Sequence, residues 1–149
     1  MTTEEKQLRD DKMYMKIAFI TADRSYCVKR KVGAIIVKDK NIISMGFNGT
    51  ISGFENVCEL PEKVNGKLIT KPDVLHAEAN AITKLACSTL SSEGSTIYIT
   101  CSPCIECSKL IAQSKIKRVV YYELHDVDGI EILKKAGIEC CHIDGGISS

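Results

Sequence analysis

Four side chains in two short segments have the types and spacing to do chemistry together. One segment is His76-Ala77-Glu78 and the other is Pro103-Cys104-Ile105-Glu106-Cys107. An imidazole and two thiolates suit zinc, and a catalytic zinc takes three protein ligands while leaving a fourth position for water. Two thiolates and a neutral imidazole bring the charge around Zn²⁺ to zero, yet zinc-bound water in enzymes still reaches a pKa of about 7. Glu78 is too close to His76 in sequence to be needed as a fourth ligand. It is better placed as the base that takes a proton from that water and hands it to a substrate. A purely structural zinc is usually closed by four Cys or His ligands. A Glu following a His therefore favours an open, catalytic centre.

The combined pattern, H-x-E followed by P-C-x-x-C, is that of the zinc-dependent nucleobase deaminases. A second C-x-x-C parse, Cys101-Ser102-Pro103-Cys104, competes with it. Cys101 falls at a strand end, before the turn, and would not share a helix face with Cys104.

Local elements must position these groups. Ser95-Thr96-Ile97-Tyr98-Ile99-Thr100 reads as a strand, rich in β-branched and aromatic residues. Pro103 suits the first position of a following helix, where its missing N–H costs nothing. Cys104 and Cys107 then share one face of the first turn. The helix N-terminus is expected to help both thiols ionise. Asp73-Val74-Leu75-His76 likewise leads into an alanine-rich helix expected to run to about Leu90, and at its first turn His76 and Glu78 can reach one centre.

The rest of the chain supplies a frame. Met13, Ile17, Ala18, Ile20 and Thr21 give a near-helical spacing over about Leu8–Arg24. Val32–Val37 and Ile42–Phe47 read as strands joined by a hairpin turn at Lys38-Asp39-Lys40-Asn41. Helix and strand then alternate: Pro103–Ser114, Arg118–Tyr122, Gly129–Ala136 and Ile138–Ile143. Apolar runs such as Ala34-Ile35-Ile36-Val37 suit a sheet covered on both faces. An opening hairpin followed by alternation predicts a three-layer α/β/α domain on a mixed sheet. Gly49 to Val74 shows no clear period, and a loop of that length is expected to be functional or disordered.

A chain of 149 residues suggests one domain able to bury a core without disulfide staples. Eight cysteines with a metal pattern, a polar and charged N-terminus and no apolar run of membrane length lead to the expectation of a reducing, cytoplasmic setting with no membrane partner. Cys87, Cys140 and Cys141 are expected to be core or half-buried residues. A net charge of +1 and few aromatics argue against a dedicated nucleic-acid binder. Lys29-Arg30-Lys31 is the one dense basic run, either a solvated strand entry or a phosphate contact.

Further segments carry a resemblance. They are Val32-Gly33-Ala34-Ile35-Ile36-Val37, Gly46-Phe47-Asn48-Gly49, His76-Ala77-Glu78-Ala79-Asn80-Ala81-Ile82, Tyr98 through Cys107, and Ile116-Lys117-Arg118-Val119-Val120-Tyr121. From about Ile17 to Ile143 the chain resembles the cytidine deaminase superfamily and, within it, the deoxycytidylate (dCMP) deaminases. The resemblance implies a cytidine-deaminase-like fold with a central five-stranded mixed sheet and the hydrolytic deamination of dCMP to dUMP and ammonia. It implies one catalytic Zn²⁺ per subunit on His76, Cys104 and Cys107, with Glu78 as general acid/base. Asn48 would reach the deoxyribose 3′-hydroxyl, and the Ala77 and Ser102 backbones would read the cytosine edge. Arg24 and Ser25 would be phosphate contacts, with His125 a further candidate at the phosphate end. A homo-oligomer, often a hexamer, is also implied, activated by dCTP and inhibited by dTTP. Gly46, Phe47, Asn48 and Gly49 are the candidate effector contacts, and Mg²⁺ would accompany a triphosphate.

Departures from the family pattern are Phe47 in place of Tyr and Thr50-Ile51 where Pro often follows Asn-Gly. Some phage relatives carry a second, structural zinc, for which Cys27 and Cys58 offer two ligands without an evident third and fourth. Two other functions compete. One is a deaminase of another cytosine or adenine substrate: a nucleoside, a 5-modified dCMP or a tRNA base. The other is a zinc-stabilised nucleotide-binding regulator without turnover, against which Glu78 argues, since it has no duty in holding the metal.

Overall fold

A computed structural model describes residues 1–145 and 147. Strands β1 (Gly33–Lys38) and β2 (Asn41–Phe47) form the expected hairpin, paired from Gly33↔Phe47 to Lys38↔Asn41. Asp39 and Lys40 both hold positive φ, at 50° and 64°. This mirror-image turn matches the twist of paired strands. β1 is also antiparallel to β5 (Thr96–Cys101), which is parallel to β6 (Arg118–Glu123) and through it to β7 (Glu139–His142). The order β2-β1-β5-β6-β7 is the predicted five-stranded mixed sheet.

That order sets the site. Because β1 runs against β5, the start of β1 and the end of β2 lie at the same sheet edge as the C-terminal ends of β5 and β6. In open α/β sheets ligands bind outside the carboxyl ends of the strands.

Alternating side chains send Ile35, Val37, Tyr98 and Val120 to one face, under helix α1 (Thr3–Ala22). Ala34, Ile36, Ile97, Ile99, Val119 and Tyr121 face α2 (Ala77–Ala86), α3 (Ile105–Gln113) and α4 (Val127–Lys135). The three layers follow from this alternation.

Several boundaries differ from expectation. α1 starts at Thr3 because the Thr2 side chain accepts the Glu5 N–H. It buries Asp11, Tyr14, Met15, Ala18 and Ala22, whereas Met13 and Ile20 of the expected apolar stripe are 47% and 66% exposed. Asp73-Val74-Leu75 is not helical: β4 (Val74–Leu75) pairs with β3 (Gly49–Thr50), and α2 begins only after His76 and ends at Ala86, short of Leu90. The segment 49–74 also carries bridges Glu59↔Thr70 and Val64↔Lys67 around positive-φ Asn65 and Gly66. Among the described residues, no helix is long and apolar enough to cross a membrane.

One buried ion pair ties α1 to the sheet. The Arg118 guanidinium donates to both Asp11 oxygens at 2.8 and 2.6 Å, and Tyr98 Oη donates to Asp11 Oδ1 at 2.6 Å. Burial alone would raise the Asp11 pKa, but the bonds from Arg118 and Tyr98 outweigh it and hold the carboxyl below its usual value. A group depressed in the folded state contributes stability above its unfolded pKa of about 3.9 and loses it as pH falls through the folded value. We therefore expect melting temperature to drop steeply below about pH 4, and Asp11→Asn to be less stable near neutrality with a flatter acid limb. An unaltered acid limb in Asp11→Asn would assign the loss to other carboxylates.

Candidate active site

The metal-type side chains gather where two helices begin at the sheet edge. His76 caps α2 in extended conformation, and Cys104 caps α3, its Sγ accepting the Cys107 N–H at 3.5 Å. Pro103 therefore lies before the cap rather than at the first helical position. Cys107 follows within the first turn of α3. His76 Nδ1 stands 3.5 Å from Cys104 Sγ and 3.3 Å from Cys107 Sγ. A tetrahedral zinc with usual Zn–N and Zn–S bonds places such atoms about 3.6 Å apart. The residues thus fit zinc, and Cys101 of the competing parse is outside the group.

Two close packings hold this arrangement. A Cβ on Gly46 of β2 would stand 2.5 Å from the Ala77 carbonyl oxygen, so only glycine lets α2 come down with His76 and Glu78 at its start. Gly129 of α4 lies against the Pro103 carbonyl in the same way, fixing the turn that carries Cys104.

Glu78 is buried beside these ligands, and burial pushes its carboxyl above the usual range. Burial, with the charges of Glu78 and Cys104, also pushes the Cys107 thiol up. Without a cation, burial and these neighbouring acids favour the protonated thiol at Cys107, where the helix N-terminus was expected to favour the thiolate. Thiolate at Cys107 needs a bound cation, which is what this donor set is built to hold. Cys101, with its pKa raised to about 11 by burial and Glu78, stays a neutral thiol.

These groups open on a cavity of about 330 Å³. Buried Ala77, Glu78, Cys101 and Ser102 line it together with half-buried Cys104 and exposed His76, and exposed Lys29, Arg30 and His125 line its rim. Ala77 is the first residue of α2, where helices leave backbone N–H groups for a ligand. The Ser102 N–H donates to Glu123 O, and its Oγ accepts the N–H groups of His125 and Asp126, each at 2.8 Å. Ser102 thereby fixes the loop that carries His125. Asn48 lines the wall, but its amide is committed: Oδ1 accepts the Val32 N–H at 2.9 Å and Nδ2 donates to Arg30 O at 2.7 Å.

Arg24 and Ser25 do not line the cavity. Arg24 sits 5.9 Å over the Phe47 ring, and buried Ser25 donates to the Asn48 carbonyl. Phe47 and Gly49 are half-buried near the cavity edge but outside its lining. Cys101, Glu59, Thr70 and Asp126 line the cavity without having been singled out as site residues from sequence. The basic run at Lys29-Arg30-Lys31 was the legible signal for the rim. Cys27 and Cys58 are joined as a disulfide, which corrects the expectation of reduced cysteines for this pair, and Glu59 brings a carboxylate into the same cluster. Cys87 is exposed, not part of the core.

Comparison with known proteins agrees with the geometry. Residues 8–123 match the model of the cytidine and deoxycytidylate deaminase zinc-binding region. The deoxycytidylate deaminase of Enterobacteria phage T4 is 34% identical over 169 residues, with 87% of each protein covered. The human deoxycytidylate deaminase is 38% identical over 120 residues, covering 77% of this chain and 66% of the human one. The crystal structure of dCMP deaminase from cyanophage S-TIM5 in complex with dCMP and dUMP superposes with a TM-score of 0.82 at 43% identity, covering 96% of this chain and 99% of that one. With its zinc-ligand group, its buried Glu78 and its mixed sheet, the chain belongs to the cytidine and deoxycytidylate deaminase family of zinc-binding enzymes.

Proposed function

We propose that this chain hydrolyses dCMP to dUMP and ammonia. The observation that carries the reading is one cavity lined by His76, Cys104 and buried Glu78, with Cys107 completing the metal-type group behind Cys104 and His76, and with the cations Lys29 and Arg30 at its rim. A pyrimidine ring would enter first, and a 5′-phosphate would meet the basic rim. The S-TIM5 relative, with dCMP and dUMP bound, supports the same substrate class.

When bound, zinc would supply a Lewis acid that makes water a nucleophile at neutral pH. The chain's own work is proton transfer and orientation. Water adds its oxygen to C4 of the ring, and the C4–N bond to the exocyclic amine breaks. Glu78 takes a proton from the water and passes it to the ring nitrogen, then takes the proton of the new C4 hydroxyl and delivers it to the departing amine, which leaves a C4 carbonyl. Its raised pKa suits a carboxyl that must alternate between the two states. The Ala77 N–H at the helix start would meet the base edge. Asn48 would set the sugar's place through the turn that it braces, and His125 would join Lys29 and Arg30 at the phosphate.

Regulation by dCTP as activator and dTTP as inhibitor, on a homo-oligomer such as a hexamer, is the further part of this proposal, with Mg²⁺ accompanying the triphosphate. Its support is the coupling of Gly46-Phe47-Asn48-Gly49 to the site: Gly46 packs on α2, and the Phe47 carbonyl accepts Asn80 Nδ2 of α2 at 3.0 Å. An effector touching this motif would bear on the helix that carries His76 and Glu78. Allostery of this kind requires each effector to bind two conformations with different affinity.

One steady-state series tests both parts. kcat/KM for dCMP should exceed that for deoxycytidine by at least about a hundredfold, the scale of two charge-assisted phosphate contacts. Equal values would make this a nucleoside deaminase. Rate curves should be sigmoidal alone, hyperbolic with dCTP and suppressed by dTTP, and curves that neither nucleotide alters would reject the regulatory part.

A further inference from the structure

Glu59 is a carboxylate with no part in the metal group around His76, yet it is only 8% exposed within a segment whose residues 51–57 and 60–67 are exposed. A carboxylate leaves water only against strong partners. Here Oε2 accepts the backbone N–H groups of Val28 at 2.9 Å and Lys29 at 3.1 Å. Its own backbone is bridged to Thr70, and the adjacent Cys58 is joined to Cys27. Among the described residues no ion pair joins Glu59 to Lys29 or Arg30, so its charge is spent on the backbone and the rim cations stay available. The same turn is held from its other end by Asn48, through Arg30 O and Val32 N.

We infer that Glu59 is a positioning residue for the phosphate end of the cavity: it fixes the turn that presents Lys29 and Arg30 to the substrate. The inference rests on the phosphate reading of that rim. A residue acting only on stability would affect any substrate alike. One that sets the rim affects only a substrate carrying a phosphate, and does so in KM more than in kcat.

The test is steady-state kinetics of the intact parent protein, Glu59→Ala and Glu59→Gln, each with dCMP and with deoxycytidine. Glu59→Ala should raise KM for dCMP about tenfold with kcat within about threefold, and leave kcat/KM for deoxycytidine unchanged. Glu59→Gln, whose amide oxygen can accept the same two N–H groups, should restore the dCMP value. Equal losses on both substrates, or no loss on either, would overturn the inference. If Glu59→Ala is not obtained folded, Glu59→Asp, which draws the acceptor back by one methylene, is read by the same two outcomes. A parent that does not prefer dCMP removes the phosphate reading and this inference with it. A parent that prefers dCMP, with variants that lose both substrates equally, removes the inference alone.

Discussion

Glu78→Gln should lower kcat by at least about 10²–10⁴-fold, the usual contribution of one positioned acid/base, and by more if the same carboxyl serves every proton transfer. The substitution preserves size and removes the ability to take a proton. Glu78 lies outside the ligand group of His76, Cys104 and Cys107, so zinc content should not change. Its burial favours a neutral side chain in the folded protein, so the amide should be tolerated and the variant should fold. KM for dCMP should stay within a few-fold, because the loss falls on the transition state rather than on ground-state binding. Near-normal kcat in a zinc-replete variant would place the proton shuttle elsewhere.

Removing the two thiols should have an effect at least as large. The Cys104→Ala, Cys107→Ala double variant leaves a single imidazole, His76, where the donor set had three atoms within 4.8 Å of one another. Altering even an outer-shell partner of a metal ligand costs about 10–100-fold in metal affinity, and deleting two ligands costs more. Elemental analysis should find the parent with one zinc per chain and the double variant with almost none, with deamination lost in parallel. Cys101→Ala is the informative control, since Cys101 belongs to the competing C-x-x-C parse, and it should keep its zinc. Undiminished zinc in the double variant would refute the ligand assignment.

Melting near neutrality gives a second readout of the same change. Cys107 is buried, and in the absence of a cation that burial, with the charges of Glu78 and Cys104, raises the proton affinity of its thiol. A bound cation stabilises the folded state by mass action. Chelation should therefore lower the melting temperature of the parent and leave that of the double variant unmoved.

The candidate metal group, its candidate acid/base and the layered strands were legible in the sequence alone, for one physical reason. Each depends on neighbours within a few residues. The spacing within His76-Ala77-Glu78 and within Cys104-Ile105-Glu106-Cys107 is set by the start of a helix. The run Ala34-Ile35-Ile36-Val37 shows a strand covered on both faces wherever it is placed. Even there the local signals were only approximate. Pro103 precedes the cap because an extended Cys104 uses its own sulfur as the capping acceptor, and Val74-Leu75 pairs with Gly49-Thr50 instead of entering α2. The Asn65-Gly66 turn inside the supposed loop was a hairpin signal in plain view.

Tertiary structure decided the rest. Which face of α1 is buried depends on Asp11 finding Arg118, 107 residues away, and that contact leaves Met13 and Ile20 outside. Lys29 and Arg30, not Arg24, reach the cavity rim because β1 runs against β5, which brings the turn before β1 to the strand ends that carry Cys101 and Ser102. Glu59 and Cys58 reach that turn from a segment with no helical or strand period. Local spacing records a residue's place in its own helix or strand, so it brings forward the groups that could hold a metal. The cations that would meet a phosphate are brought together by strand order, and strand order is a property of the packed sheet as a whole.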